Sequence, residues 1–115
     1  MTDKHIDREV LSVLREVMED GYPELLDTFL ADSENRLLEL RETADAKVLS
    51  EVAHSFKGSA GNMGAVRLAE LCQRLESDAK GNSPAQIAKL VAEISSEFAQ
   101  VRPEYEYERQ DALTQ

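Results

Sequence analysis

Hydrophobic residues recur at helical spacing from near the start of this chain to Val101. Val10, Leu11, Leu14, Val17 and Met18 fall at i, i+1, i+4, i+7 and i+8, one face of a helix. Asp7 can cap its start and Gly21 its end. Pro23 suits the first turn of a second helix, with Leu25, Leu26, Phe29, Leu30, Leu37 and Leu40 as its buried stripe. Asp45 can cap a third, whose stripe is Leu49, Val52, Ala53, Phe56, Ala60 and Met63 and which Gly64 breaks. A fourth carries Leu68, Leu71, Cys72, Leu75 and Ala79 and stops at Gly81-Asn82. Ser83, Pro84 and Gln86 read as N-cap, Pro at N1 and capping-box partner of a fifth. That helix buries Ile87, Leu90, Val91, Ile94, Phe98 and Val101, and Pro103 is expected to kink or end it.

The pattern predicts helices over about 7–19, 23–43, 46–62, 65–80 and 84–102, with 103–115 as a polar tail or frayed helix. No useful stretch alternates with period two, so no strands are expected. Short links between long amphipathic helices favour antiparallel neighbours. The expectation is an all-α fold, an antiparallel up-down four-helix bundle with the short first helix capping one end. The 115 residues suit one domain, 1–115.

Composition narrows the function. The net charge of −10 argues against nucleic acid and against an anionic membrane surface, since both attract basic side chains. A single cysteine, Cys72, rules out an internal disulfide and fits a reducing compartment. It lies on the buried stripe of the fourth helix and is expected to be a small core residue. No apolar run approaches a membrane span, and Met1 to His5 lacks a signal-peptide core, so a cytoplasmic protein is expected. There is no Walker A motif and no Gly-x-Gly-x-x-Gly, hence no ATP module. The two histidines, His5 and His54, form no His-x-x-x-His pair, so no metal site is expected. His5 is expected to be disordered near the terminus.

The third helix breaks the local pattern. At about 100° per residue, His54, Lys57, Gly58 and Gly61 share the face opposite the apolar stripe. His54 should therefore stand in solvent. Two glycines inside a helix cost roughly 2 kcal/mol relative to alanine. Gly is preferred where something must approach the backbone. The physical reading is a nucleophilic imidazole with its surroundings cleared for a bulky partner. Lys57, one turn on, can pair with an anion carried on the ring. A neutral histidine can form a phosphoramidate, and phosphoryl transfer needs neutralised equatorial oxygens. No convergent carboxylate cluster can be placed beside His54 from the sequence.

His54-Ser55-Phe56-Lys57-Gly58-Ser59-Ala60, then Asn62-Met63-Gly64-Ala65, Leu68-Ala69, and Leu71-Cys72 through Leu75-Glu76, resemble the histidine-containing phosphotransfer (HPt) domain family. The local motif spans about residues 50–80, and the helix pattern extends the likeness over roughly 7–102. The resemblance implies a four-helix bundle that takes a phosphoryl group from a receiver-domain aspartyl phosphate and passes it to another receiver. It implies His54 as phosphoacceptor, Lys57 as phosphate stabiliser and Gly58 as the residue that clears space. It implies no prosthetic group of the chain's own, with Mg²⁺ supplied by the receiver. The implied partners are the receiver of a hybrid sensor histidine kinase and a response-regulator receiver, with the carrier a monomer. Ser50, Gly61, Gln73, Glu76 and Lys80 are the expected partner-contacting residues. Leu38, which lies off its helix's core stripe, is either an isolated exposed leucine or part of the docking patch.

Other classes fit less well. A histidine-kinase dimerisation helix would carry an acid directly after its His and a Pro five residues on, where this chain has Ser55 and Ser59. Without a neighbouring acid/base, self-sufficient kinase or phosphatase chemistry is disfavoured. A Ser/His hydrolase needs an orienting group and an oxyanion hole, and neither can be assembled. The alternative from another class is a helical adaptor that binds a regulator without being phosphorylated.

Overall fold

The computed structural model describes residues 4–114. Within them lie α1 (Arg8–Met18), a 3-10 turn (Glu19–Gly21), α2 (Tyr22–Glu42), α3 (Ala46–Asn62), α4 (Val66–Asp78) and α5 (Pro84–Leu113). The predicted caps form. Asp7 accepts from the Glu9 amide, Asp45 from Lys47 and Val48, and Ser83 and Gln86 make a reciprocal capping box. Such caps contribute about 1 kcal/mol each. Gly21 does not end α1: Glu19 closes it at φ 49, and Gly21 instead precedes α2.

α2 to α5 form an antiparallel four-helix bundle. Contacts across α3 and α4 run in opposite senses, Ser50 to Glu76 and Lys57 to Gln73. The α2–α5 seam is tied at seven-residue intervals, by Asp27 to Arg109, Glu34 to Arg102 and Arg41 to Ser95. That interval keeps one side of each helix against its neighbour. Leu26, Phe29, Leu40, Phe56, Leu68, Leu75, Ile94 and Val101 are buried inside. Each such burial stabilises by roughly 1.5–3 kcal/mol. No described helix is long and apolar enough to cross a membrane.

The structure departs from the predicted elements in three places. Pro103 does not end the fifth helix, which runs unbroken for 30 residues to Leu113. A proline there removes one backbone bond, but Tyr105 beyond it is fully buried, and Glu104, Glu108 and Asp111 pair with Arg8 and Arg15 of α1. These contacts hold the extension helical, so residues 103–113 are neither tail nor frayed end. The apolar stripe of α1 is only partly covered: Leu11 is buried and Leu14 packs against the core, while Val17 is 71% exposed and Met18 also faces solvent. Leu11 and Leu14 seat α1 on the core, and beside them Arg8 and Arg15 pair with Glu104, Glu108 and Asp111 of α5. His5 is packed against α5, with Nδ1 2.7 Å from Glu97 Oε2 and Nε2 3.0 Å from the Gln100 amide. Ile6 beside it is buried, which anchors the segment.

Gly64 is required where it stands. It turns the chain between α3 and α4 at φ +75, and a Cβ would lie 2.8 Å from the Asp7 carbonyl. The same close approach lets the Asp7 amide donate to the Gly64 carbonyl at 2.7 Å, seating α1 on this turn.

Candidate functional site

α3 and α4 form a hairpin about Gly64, and the register of that hairpin builds the site. Leu49, Ala53, Phe56 and Ala60 face inward. The helix repeat then turns His54 outward, where its side chain is 68% exposed. On α4, burial of Leu68, Leu71, Cys72 and Leu75 turns Gln73 and Glu76 toward α3.

Glu76 Oε2 lies 2.9 Å from His54 Nδ1, and Glu76 Oε1 lies 3.0 Å from Lys57 Nζ. Lys57 Nζ also donates to Gln73 Oε1 at 2.8 Å, and Gln73 Nε2 donates to Ser77 Oγ at 3.1 Å. Ser50 Oγ makes a long 3.4 Å contact to the Glu76 carbonyl. The Lys57 ammonium first, and the His54 ring after it, hold the Glu76 carboxyl below the usual carboxylate range, against the opposing effect of partial burial. Glu76 is therefore an acceptor only, and it fixes the proton of a neutral His54 on Nδ1. Nε2 is left with its lone pair.

The two helix-face glycines leave that side open. A Cβ at Gly58 or at Gly61 would meet nothing within 4 Å. Gly58 is thus not demanded by packing or backbone geometry within the chain.

The structure brings His54, Lys57, Gln73, Glu76 and Ser50 together, with Gly58 and Gly61 on the same face. It separates two expected residues from them. Lys80 lies in the link after α4 and lines a cavity of about 710 Å³ at the end of the bundle, with Leu49, Ala79 and Ile87. One further turn along the hairpin carries it past the imidazole. Leu38 is 50% exposed, but it lines the α2–α5 groove with Phe98 and Pro103, across the bundle from the α3–α4 seam. It is not part of the His54 surface.

One carboxylate, Glu76, stands beside His54, and it comes from the facing helix; no group of three or more acidic, His or Cys side chains converges among the described residues. Ser77 was not singled out in the sequence. Its four-residue spacing from Gln73 was the available signal. Cys72 is buried as expected, and burial pushes its thiol up to about 12.

The Hpt domain family model matches residues 24–104. The phosphorelay protein LuxU of Vibrio harveyi is 32% identical over 84 residues, covering 70% of this chain and 74% of LuxU. The crystal structure of histidine-containing phosphotransfer protein B (HptB) from Pseudomonas aeruginosa PAO1 superposes with a TM-score of 0.90 at 46% identity, covering 96% of this chain and 98% of that one. With a family model over most of its length and relatives this similar in sequence and fold, the chain belongs to the Hpt domain family.

Proposed function

We propose that this protein is a phosphorelay intermediate, in which His54 accepts a phosphoryl group from the aspartyl phosphate of one receiver domain and passes it to the aspartate of another. The observation that carries the reading is the exposed His54 imidazole, bonded through Nδ1 to Glu76 and bordered by the open surface at Gly58. An Nδ1–H ring presents an Nε2 lone pair outward. In-line attack forms the Nε2–P bond and breaks the acyl-phosphate P–O bond, and the electron pair leaves with the receiver's carboxylate. Lys57, one turn along α3, is placed to exchange its pairing with Glu76 for the phosphoryl oxygens. Gly58 admits the receiver to the backbone.

The receiver brings the acidic pocket and Mg²⁺ in this reading, and this chain contributes the acceptor and one cation. The donor is the receiver of a hybrid sensor histidine kinase, the acceptor a response regulator, and they meet a monomeric carrier in the cytoplasm. The names of LuxU and HptB support transfer of this class.

The test is labelling of the wild type beside His54→Gln, each incubated with a receiver phosphorylated from radiolabelled ATP by its kinase and Mg²⁺. Acid-labile, base-stable label on the wild type alone is expected. No label on a folded wild type, offered several receivers, would remove the reading and leave a non-phosphorylated adaptor.

A further inference from the structure

The contact between Glu76 and His54 bears on the phosphorylated state as well as on the free one. We propose that Glu76 is a positioning residue that keeps the Nδ1 proton on His54 while the phosphoryl group is bound to Nε2, holding the carrier in its donor form. This inference rests on the phosphocarrier reading above.

Before transfer the ring carries its proton on Nδ1, donated to Glu76 Oε2 across 2.9 Å, and its lone pair on Nε2. Attack on the acyl phosphate makes Nε2 fully substituted, and no proton has moved. The ring is then an N-phosphoimidazolium whose positive charge faces the Glu76 carboxylate. Onward transfer breaks the Nε2–P bond and returns the electron pair to Nε2. With the Nδ1 proton retained, the leaving group is neutral imidazole. Without it, the leaving group is imidazolate, a far stronger base and a much poorer leaving group. The carboxylate thus favours both directions of transfer with one fixed proton.

The surroundings fit this assignment. On α3 the charged neighbours of His54 are Lys57 and Glu51, each one helical turn away. On α4 the facing groups are Glu76 and the neutral amide of Gln73. Lys57 is the one cation bonded to Glu76 among the described residues, and it is the group expected to turn to the phosphoryl oxygens. That move leaves the Glu76 carboxylate with the imidazolium as its remaining charged partner. A glutamine at the same position would accept the Nδ1–H bond but supply no charge to hold the proton.

The experiment compares the wild type with Glu76→Gln, each phosphorylated by the same labelled receiver, purified, and mixed with fresh receiver from about pH 6 to 9. Onward transfer from the wild type should change less than about twofold across that range, after correction for the receiver's own profile. From Glu76→Gln it should fall by up to about tenfold per pH unit as the ring loses its proton, while the label persists longer. Nitrogen-15 spectra of the phosphorylated wild type give an independent check, and Nδ1 should remain protonated at pH 8. Parallel pH profiles for the two proteins, or an unprotonated Nδ1 in the wild type, would overturn the inference while leaving the phosphocarrier reading intact. Absence of label on the wild type would instead overturn the reading itself, and this inference with it.

Discussion

Tyr105 Oη donates a 2.7 Å hydrogen bond to the backbone carbonyl of Met63. It joins the end of α5 beyond Pro103 to the turn between α3 and α4, 42 residues earlier in the chain. The ring also packs edge-on against Phe29, with centroids 5.0 Å apart. One side chain thus ties α2, α5 and the turn that sets the register of the His54 hairpin.

Tyr105→Phe keeps the ring and removes the donor, leaving a buried carbonyl unpaired. The expected cost is about 1–2 kcal/mol, a fall in Tm of roughly 4–8 °C. Thermal unfolding by circular dichroism measures it. An unchanged Tm would mean the hydroxyl contributes nothing to anchoring the turn.

Gly64→Ala places a Cβ at φ +75 and within 2.8 Å of the Asp7 carbonyl. The left-handed backbone alone costs about 1–2 kcal/mol, and displacement of Asp7 adds to it. Urea unfolding should show a loss of at least about 1 kcal/mol. A neutral effect would contradict the close seating of α1 on this turn.

Gly58→Gln should act in the opposite sense on stability. Its side chain enters open space, and helix propensity improves by roughly 0.5–1 kcal/mol. Transfer from a phosphorylated receiver should nevertheless slow, because the added side chain stands where the partner approaches. If the variant is more stable and transfers at the wild-type rate, the glycine has some role other than clearance.

Lys57→Ala removes the ammonium that Glu76 and Gln73 hold beside His54. A lost charge-assisted bond of about 1.5–3 kcal/mol corresponds to transfer slowed by about 10–150-fold. Rapid-quench transfer assays read it directly, and a change under threefold would exclude Lys57 from phosphoryl stabilisation.

Alkaline pH offers a test of the contact between the start of α2 and α5. Burial first, then its bond to Glu108, raises the Tyr22 phenol well above its ordinary value of 10.0. The folded state keeps its proton where the unfolded chain has lost it. The Tyr22 contribution is therefore fully present below pH 10 and declines above it, by up to about 1.4 kcal/mol per pH unit. Stability of Tyr22→Phe, followed by urea unfolding from about pH 8 to 11, should fall less steeply than that of the wild type. Tyr107→Phe, at a solvent-exposed position, should keep the wild-type slope. Identical slopes for all three would refute the assignment.

The periodicity of α2 to α5 locates nearly every buried stripe, and by itself it turns His54, Lys57 and Gly58 outward. This information is local: a 3.6-residue repeat states which side of a helix must leave water. The same argument failed for part of α1, where Val17 and Met18 lie on the apolar stripe but have no helix to cover them. It failed again beyond Pro103, where Glu104 to Asp111 look like solvated tail. Their partners Arg8 and Arg15 lie some 96 residues away, and no local pattern records that pairing.

The sequence by itself determined α2 to α4, the start of α5, their apolar faces and the acceptor side of α3. Only the tertiary structure decided what His54 touches. In the sequence pattern Gln73, Glu76 and Lys80 share one flank of the fourth helix, and which of them meets the imidazole depends on where that helix ends, on the turn at Gly64 and on how far the two helices slide past each other. A shift of one helical turn moves a side chain by about 5.4 Å, enough to exchange one neighbour for the next. Packing of Ala53, Phe56, Leu71 and Leu75 between the helices fixes that slide, and so sets a carboxylate on Nδ1.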